Sequence, residues 1–186
     1  MSAVWYRVLL FAAGSAGLYR ISRASLKDPS SHGFYRFFAW ECILALFCLN
    51  LESWFSEAFG ARQLLSWTLL SISLALVYLG VCEFRKKGNV DGGRNEAGLL
   101  GIEKTTALVT SGIYQAIRHP FYSSLLFLGW GIFLKQVSWT GAILAVVMIL
   151  LLVATARAEE VENIKYFGGQ YREYMRRTKR FIPYIF

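Results

Sequence analysis

Two polar stretches in the second half of the chain carry residue types that could do chemistry. The first is "SGIYQAIRHPFYSSLL" at 111–126, where Arg118, His119 and Pro120 open an apolar run. Proline suits the first turn of a helix. Arginine can bind a carboxylate with two parallel N–H groups, and histidine can accept or donate a proton near neutral pH. The stretch predicts either a polar site or a membrane boundary where Arg118 extends towards lipid headgroups.

The second stretch, "RAEEVENIKYFGGQYREY" at 157–174, places Glu159 and Glu160 just past the predicted end of a long apolar helix. Carboxylates at a helix carboxyl terminus oppose the helix dipole. Two interpretations stay open: the glutamates serve a site, or the helix continues with Glu159 and Glu162 on one face. The tyrosines that follow could hold a cation with their ring faces or form an interfacial aromatic belt.

The rest of the chain must position these residues within a membrane. Only 17% of its residues are charged and 55% are hydrophobic, with a mean hydropathy of +0.40. A helix needs about 20 apolar residues to span a bilayer. Apolar blocks lie at 4–19, 34–51, 64–84, 121–134 and 137–156, of which the fourth is short and the first two are marginal. We expect an all-α integral membrane protein with about five transmembrane helices.

Charge placement predicts the orientation of these helices. The chain has 20 Lys and Arg residues. If the amino terminus lies outside, only Arg62 and Lys135 fall in outer loops. Because positive residues collect on the cytoplasmic side, we expect an external amino terminus and a cytoplasmic carboxyl terminus. The +8 net charge then reflects topology and contact with anionic membrane lipids, and we expect no nucleic-acid partner because no folded basic domain is present.

Three cysteines, Cys42, Cys48 and Cys82, fall inside predicted helices and form no C-x-x-C pair, so we expect no metal site. Glycines in helices one and four lack the spacing of a strong association motif, so the sequence makes no prediction of oligomeric state.

The motifs "GIYQAIRHPFY", "EE", "FGGQYREY" and "FIPYIF", in this order around a helix hairpin, resemble the isoprenylcysteine carboxyl methyltransferase family and its phospholipid methyltransferase relatives. The resemblance covers roughly 106–186, and its R-H-P-x-Y element is the most specific part. It implies an integral membrane enzyme that uses S-adenosyl-L-methionine and releases S-adenosyl-L-homocysteine. Five spans are typical of small prokaryotic members, which implies a prokaryotic inner membrane. Gln115 and Ala116 depart from the basic or aromatic residues often found there.

By this resemblance the cofactor site takes in Gly112, Tyr114, His119, Pro120, Tyr122, Glu159 and Glu160. We also expect Ile113, Arg118, Tyr171 and Tyr174 to belong to it. Arg118 is suited to the cofactor carboxylate and Glu159 or Glu160 to its ammonium, whereas tyrosine faces could hold the sulfonium. A carboxylate acceptor would need no general base. For a hydroxyl, thiol or amine acceptor, His119, Glu159 or Glu160 could serve as the base.

We therefore expect one membrane domain with two functional parts. Residues 1–84 form three helices on the acceptor or lipid side. Residues 85–186 form a cofactor-binding loop, a helix hairpin and a tail, and the pocket lies on the cytoplasmic side between the 85–120 loop and the tail. The acceptor is expected to be lipophilic, because it would reach this site from the bilayer. Glu41, an intramembrane carboxylate, either contacts the acceptor or pairs with Arg20 or Arg36.

Two other functions are compatible with the residues. A sterol-type membrane reductase also ends in a tyrosine-rich, proline-containing segment, and Arg172, Arg176 and Arg177 could bind the phosphates of NADPH. A non-enzymatic membrane protein would tolerate substitution of His119 and Glu160. The intact "RHPFY" element favours the methyltransferase.

Overall fold

The computed structural model describes residues 2–57, 59–87 and 106–183. Most of the loop predicted at 85–119, with Arg94 and Lys104, lies outside the described residues, as does the end of the tail from Tyr184. Within the described ranges the chain forms six α-helices: α1 (Ser2–Ser22), α2 (His32–Leu49), α3 (Ala61–Lys87), α4 (Pro120–Phe133), α5 (Trp139–Phe167) and α6 (Gly169–Arg177). No strand occurs in this part of the chain, so the prediction of an all-α fold is confirmed there.

Three of these helices, α2, α3 and α5, are long and apolar enough to cross a membrane, whereas α4 is apolar but has only 14 residues. The five predicted apolar blocks all form helices. The membrane crossings of α1 and α4, and the orientation of the whole chain, stay predictions. Side chains on α1 such as Trp5, Val8 and Leu9 are exposed on the protein surface.

The expectation that the fifth helix ends before Glu159 is wrong and the alternative that it continues is confirmed, because α5 runs through both glutamates to Phe167. Its last turns remain helical because the carboxylates of Glu159, Glu160 and Glu162 meet partners on other segments. These contacts offset the unfavourable placement of carboxylates near a helix carboxyl terminus. The helix ends at Gly168, whose φ of 61° favours glycine.

The core is a bundle in which α5 packs against α2 and α4, and α3 packs against α4. Buried apolar side chains such as Leu46, Met148 and Leu152 fill its centre. Gly129 allows α4 to approach α5, because a Cβ at this position would collide with the Met148 side chain. Two serine hydroxyls of α3 also donate to α4 carbonyls: Ser66 to Gly131 O at 2.6 Å and Ser73 to Ser124 O at 2.8 Å. Such bonds are typical of helix packing in membranes.

Candidate functional site

The residues before α4 are held by the tail of the chain. Lys179 N–H donates to Ala116 O at 3.1 Å, and Arg118 N–H donates to Lys179 O at 2.9 Å, so the two segments run parallel. His119 occupies the N-cap of α4 and Pro120 its first turn, as the sequence predicts. This pairing brings the motif at 118–120 next to the tail residue Arg180.

Glu160 lies at the centre of a buried ion-pair cluster. Its carboxylate accepts hydrogen bonds from Arg118 Nε at 2.7 Å and from Arg180 Nε and Nη2 at 3.0 and 2.7 Å. His119 Nε2 is 3.3 Å from the same carboxylate. Arg118 Nη1 also donates to Thr178 O at 2.6 Å. Arg118 and Glu160 therefore bind each other, whereas the sequence assigned them to opposite charges of a cofactor.

A cavity of about 270 Å³ lies beside this cluster. Its wall contains Arg118, His119 and Glu159, and Glu160 lies behind them. Eight of the residues predicted for the site line the cavity, namely Tyr114, Arg118, His119, Pro120, Tyr122, Glu159, Tyr171 and Tyr174. Residues from α2, α3 and α4 complete the wall, and they include Trp40, Val77 and Leu125. Arg118, His119 and Glu159 lie where α4 begins, whereas Trp40, Val77 and Leu125 lie further into their helices, and we call these two parts of the wall the polar and the apolar end.

His119 connects the cavity to both glutamates. Its Nδ1 is 3.5 Å from Glu159 Oε2, and its ring stacks on Tyr122 with centroids 5.4 Å apart. Burial lowers the pKa of His119, but the negative charges and hydrogen bonds of Glu159 and Glu160 outweigh it, so the pKa is raised from its ordinary value. The arrangement favours an imidazolium at this position.

Three tyrosines surround the polar end of the cavity. Tyr174 Oη donates to Tyr114 O at 2.7 Å, and the Tyr171 and Tyr174 rings meet edge to face with centroids 5.8 Å apart. Burial raises the pKa of all three phenols, so they are neutral. The Tyr114 hydroxyl is buried and has no hydrogen-bond partner among the described residues, so it can bond a ligand in the cavity.

Gly112 and Ile113 support the site and are not part of the described cavity wall. Gly112 has φ 58°, and a Cβ there would collide with the Glu83 side chain. Ser111 Oγ donates to Glu83 Oε2 at 2.8 Å, which fixes this turn against α3. Ile113 packs beside the tyrosines. Glycine at 112 is therefore explained by close packing, and contact of Gly112 or Ile113 with a cofactor stays a prediction.

Glu41 lies on α2 beside α1, where its Oε2 accepts from Ser15 Oγ at 2.6 Å. Among the described residues it is not in the cavity wall, although its neighbour Trp40 is. The predicted pairing of Glu41 with Arg20 or Arg36 is not part of this arrangement, and its contact with an acceptor stays a prediction.

The sequence reasoning missed Arg36, Trp40, Asn163 and Phe167 in the wall and Arg180 in the ion-pair cluster. A signal existed for some of them. Arg36 and Trp40 are four residues apart on α2, and Glu159, Asn163 and Phe167 follow at the same interval on α5, so each set shares a helix face. No spacing indicated Arg180, because only the fold brings the tail to Glu160.

Comparisons with known proteins agree with these motifs. A family model described as phospholipid methyltransferase matches residues 93–170. Together with the curated relatives, it supports the resemblance of this chain to the isoprenylcysteine carboxyl methyltransferase family and its phospholipid methyltransferase relatives. The resemblance seen in the sequence is confirmed.

Two relatives illustrate the match. Protein-S-isoprenylcysteine O-methyltransferase B of Arabidopsis thaliana is 31% identical over 129 residues, which cover 68% of this chain and 64% of the relative. The Homo sapiens protein-S-isoprenylcysteine O-methyltransferase is 34% identical over 145 residues, which cover 73% of this chain and 50% of the relative. The chain thus spans about half to two thirds of the length of these relatives. No solved structure matches it.

Proposed function

We propose that this chain is an S-adenosylmethionine-dependent methyltransferase that acts on a lipophilic acceptor at a membrane surface. One observation carries the proposal: a single cavity joins a polar end, with His119, Glu159 and three tyrosines, to an apolar end formed by helices of the bundle. A soluble charged cofactor suits the first end and a lipid chain suits the second.

The residues at the polar end fit the chemical groups of the cofactor. The Glu159 side chain is 25% exposed, whereas that of Glu160 is 6% exposed, so Glu159 is the better partner for an ammonium. The Tyr114 hydroxyl can donate to a ribose or adenine acceptor, and the buried tyrosine faces suit a sulfonium. His119, as an imidazolium, and the remaining nitrogen of Arg118, Nη2, suit a carboxylate.

The bound cofactor would supply a methyl group activated by its sulfonium. The protein has to align the acceptor with that methyl group and keep water out. A general base must be neutral to take a proton, and the raised pKa of His119 opposes that state. The site therefore favours an acceptor that is already anionic, such as a carboxylate, over a hydroxyl or a protonated amine.

The names of the relatives support this choice, because they describe O-methylation of isoprenylcysteine. A methyl ester formed on a carboxylate is the product that we propose here. The family match favours this activity over the sterol-type reductase. Of the arginines considered for NADPH, Arg176 and Arg177 are exposed on α6 and pair with Glu173.

Transfer of label tests the activity. The purified chain in lipid nanodiscs is incubated with S-adenosylmethionine labelled in its methyl group and with N-acetyl-S-farnesyl-L-cysteine or a total lipid extract. We expect label in an extractable product that base releases as methanol, because methyl esters are hydrolysed by base. Glu159→Gln should reduce the rate at least tenfold, and Glu173→Gln, at an exposed pair on α6, should leave it unchanged.

Label in neither acceptor, from protein that is folded and monodisperse, would contradict the proposed activity. Oxidation of NADPH by the same preparation in the presence of an unsaturated sterol would favour the reductase.

A further inference from the structure

Arg36 is an arginine of α2 that contributes to the cavity wall while being 2% exposed. Its guanidinium carbon lies 5.0 Å from the centroid of the Trp40 ring. A guanidinium in so dry an environment interacts strongly with any anion that reaches it, because little water screens the charge. Neither the sequence motifs nor the cluster around Glu160 accounts for a cation at this position.

Hydrogen bonds that involve His32 and Glu162 orient Arg36. Glu162 on α5 accepts from the His32 backbone N–H at 3.0 Å and lies 2.6 Å from His32 Nδ1. His32 Nε2 is 3.4 Å from Arg36 Nη1. With Nδ1 donating to the carboxylate, Nε2 accepts from the arginine. A chain of hydrogen bonds therefore runs from Glu162, near the end of α5, through His32, at the start of α2, to Arg36 in the cavity wall.

Arg36 shares the cavity wall with residues of both ends. Trp40 lies one turn further along α2, and with Val77 and Leu125 it forms apolar wall. Glu159, one turn before Glu162 on α5, belongs to the polar end. An amphiphile with its chain along the apolar wall would hold its head group near Arg36 and face the polar end.

We propose that Arg36 binds the oxyanionic group of the methyl acceptor, with His32 and Glu162 as positioning residues. The inference rests on the proposed function and deepens it, since it names the residue that selects the anionic head group of the acceptor. The oxyanion can be a carboxylate or a phosphate, and both would bind the same guanidinium fork. Neutral lipids of equal chain length would bind poorly.

Binding measurements with matched probes test this assignment. The full chain in nanodiscs is titrated with N-acetyl-S-farnesyl-L-cysteine, with its neutral carboxamide, and with dodecyl phosphate. S-adenosylhomocysteine is titrated on the same samples. The readout is the ratio of the dissociation constants for carboxamide and carboxylate, because a purely structural defect weakens both probes alike.

In the wild type we expect the carboxylate to bind at least tenfold more tightly than the carboxamide. Arg36→Met should bring the ratio close to one and leave S-adenosylhomocysteine affinity within about twofold, and Arg36→Lys should retain part of the ratio.

Glu162→Ala should lower the ratio, and Glu162→Gln, whose oxygen can still accept from His32, should lower it less. Arg23→Gln, which removes an exposed arginine just after the end of α1, should change nothing.

A ratio near one in the wild type, or an unchanged ratio in Arg36→Met, would overturn the assignment. If Arg36→Met lowers the ratio and also weakens dodecyl phosphate more than the carboxylate, the preferred oxyanion is a phosphate and the assignment stands. Failure of the wild type to bind S-adenosylhomocysteine would instead overturn the proposed function.

Discussion

At the scale of single residues, adjacent glutamates have different roles. Glu160 accepts from two arginines and is enclosed, whereas Glu159 faces His119 and the cavity. The sequence "EE" could not separate them, because neighbouring residues on a helix point about 100° apart and only the packed partners decide which one is enclosed. Arg118 illustrates the same point: its type predicted an anion partner, and the fold supplies Glu160.

Glu160→Gln should destabilise the protein more than it affects the chemistry. Removing the carboxylate leaves Arg118 and Arg180 close together without their shared counter-charge. Breaking a buried ion pair in this way costs about 3 kcal/mol or more. Unfolding monitored by circular dichroism in mixed micelles measures the change.

Glu173→Gln is the matched control, since Glu173 also pairs with two arginines, at 3.5 and 2.8 Å, but on the exposed face of α6. Exposed pairs contribute about 1 kcal/mol or less. Equal destabilisation by the two substitutions would contradict the account of the Glu160 cluster.

At the scale of elements, the ends of α2, α3 and α4 remote from the cavity are joined around Lys135. Its Nζ is 3.4 Å from the Trp67 ring centroid and 5.2 Å from that of Trp54, and it donates to Gln63 Oε1 at 3.0 Å. The sequence predicted an outer-loop cation at 135, but the residue is buried. Two tryptophans that are far from Lys135 in the chain make this burial tolerable.

A double-mutant cycle between Trp67→Leu and Lys135→Met should give a coupling of about 2 kcal/mol, because a desolvated cation–π contact is of that size. Reversible unfolding in mixed micelles provides the four free energies. Trp139→Leu, at a tryptophan that is 88% exposed, should be additive with Lys135→Met within about 0.5 kcal/mol. Additivity at Trp67 would show that the ring does not stabilise the ammonium.

The sequence predicted where helices form better than where they end. Apolar blocks located every helix of the bundle because lipid-facing and core-facing residues are both apolar. The sequence left open whether α5 stops before Glu159 or continues, since its charged last turns look like loop until His32, His119 and the arginines are placed around them. Long-range pairs of this kind leave no periodic signal in the chain.

At the scale of the whole molecule, the placement of Lys and Arg predicts that the cavity faces the cytoplasm. Single cysteines in a variant lacking Cys42, Cys48 and Cys82 test the orientation. Ser56→Cys, between α2 and α3, should react with an impermeant maleimide in intact cells. Arg176→Cys on α6 should react only after the membrane is opened. The reverse pattern would contradict the predicted topology.

The central claim is that the cavity binds S-adenosylmethionine. Calorimetric titration of the purified chain with S-adenosylhomocysteine, with NADPH in parallel, tests it most directly. We expect saturable binding of S-adenosylhomocysteine alone, weakened at least tenfold in Glu159→Gln and unchanged in Glu173→Gln. Saturable binding of NADPH alone, or S-adenosylhomocysteine affinity that Glu159→Gln leaves intact, would contradict the account.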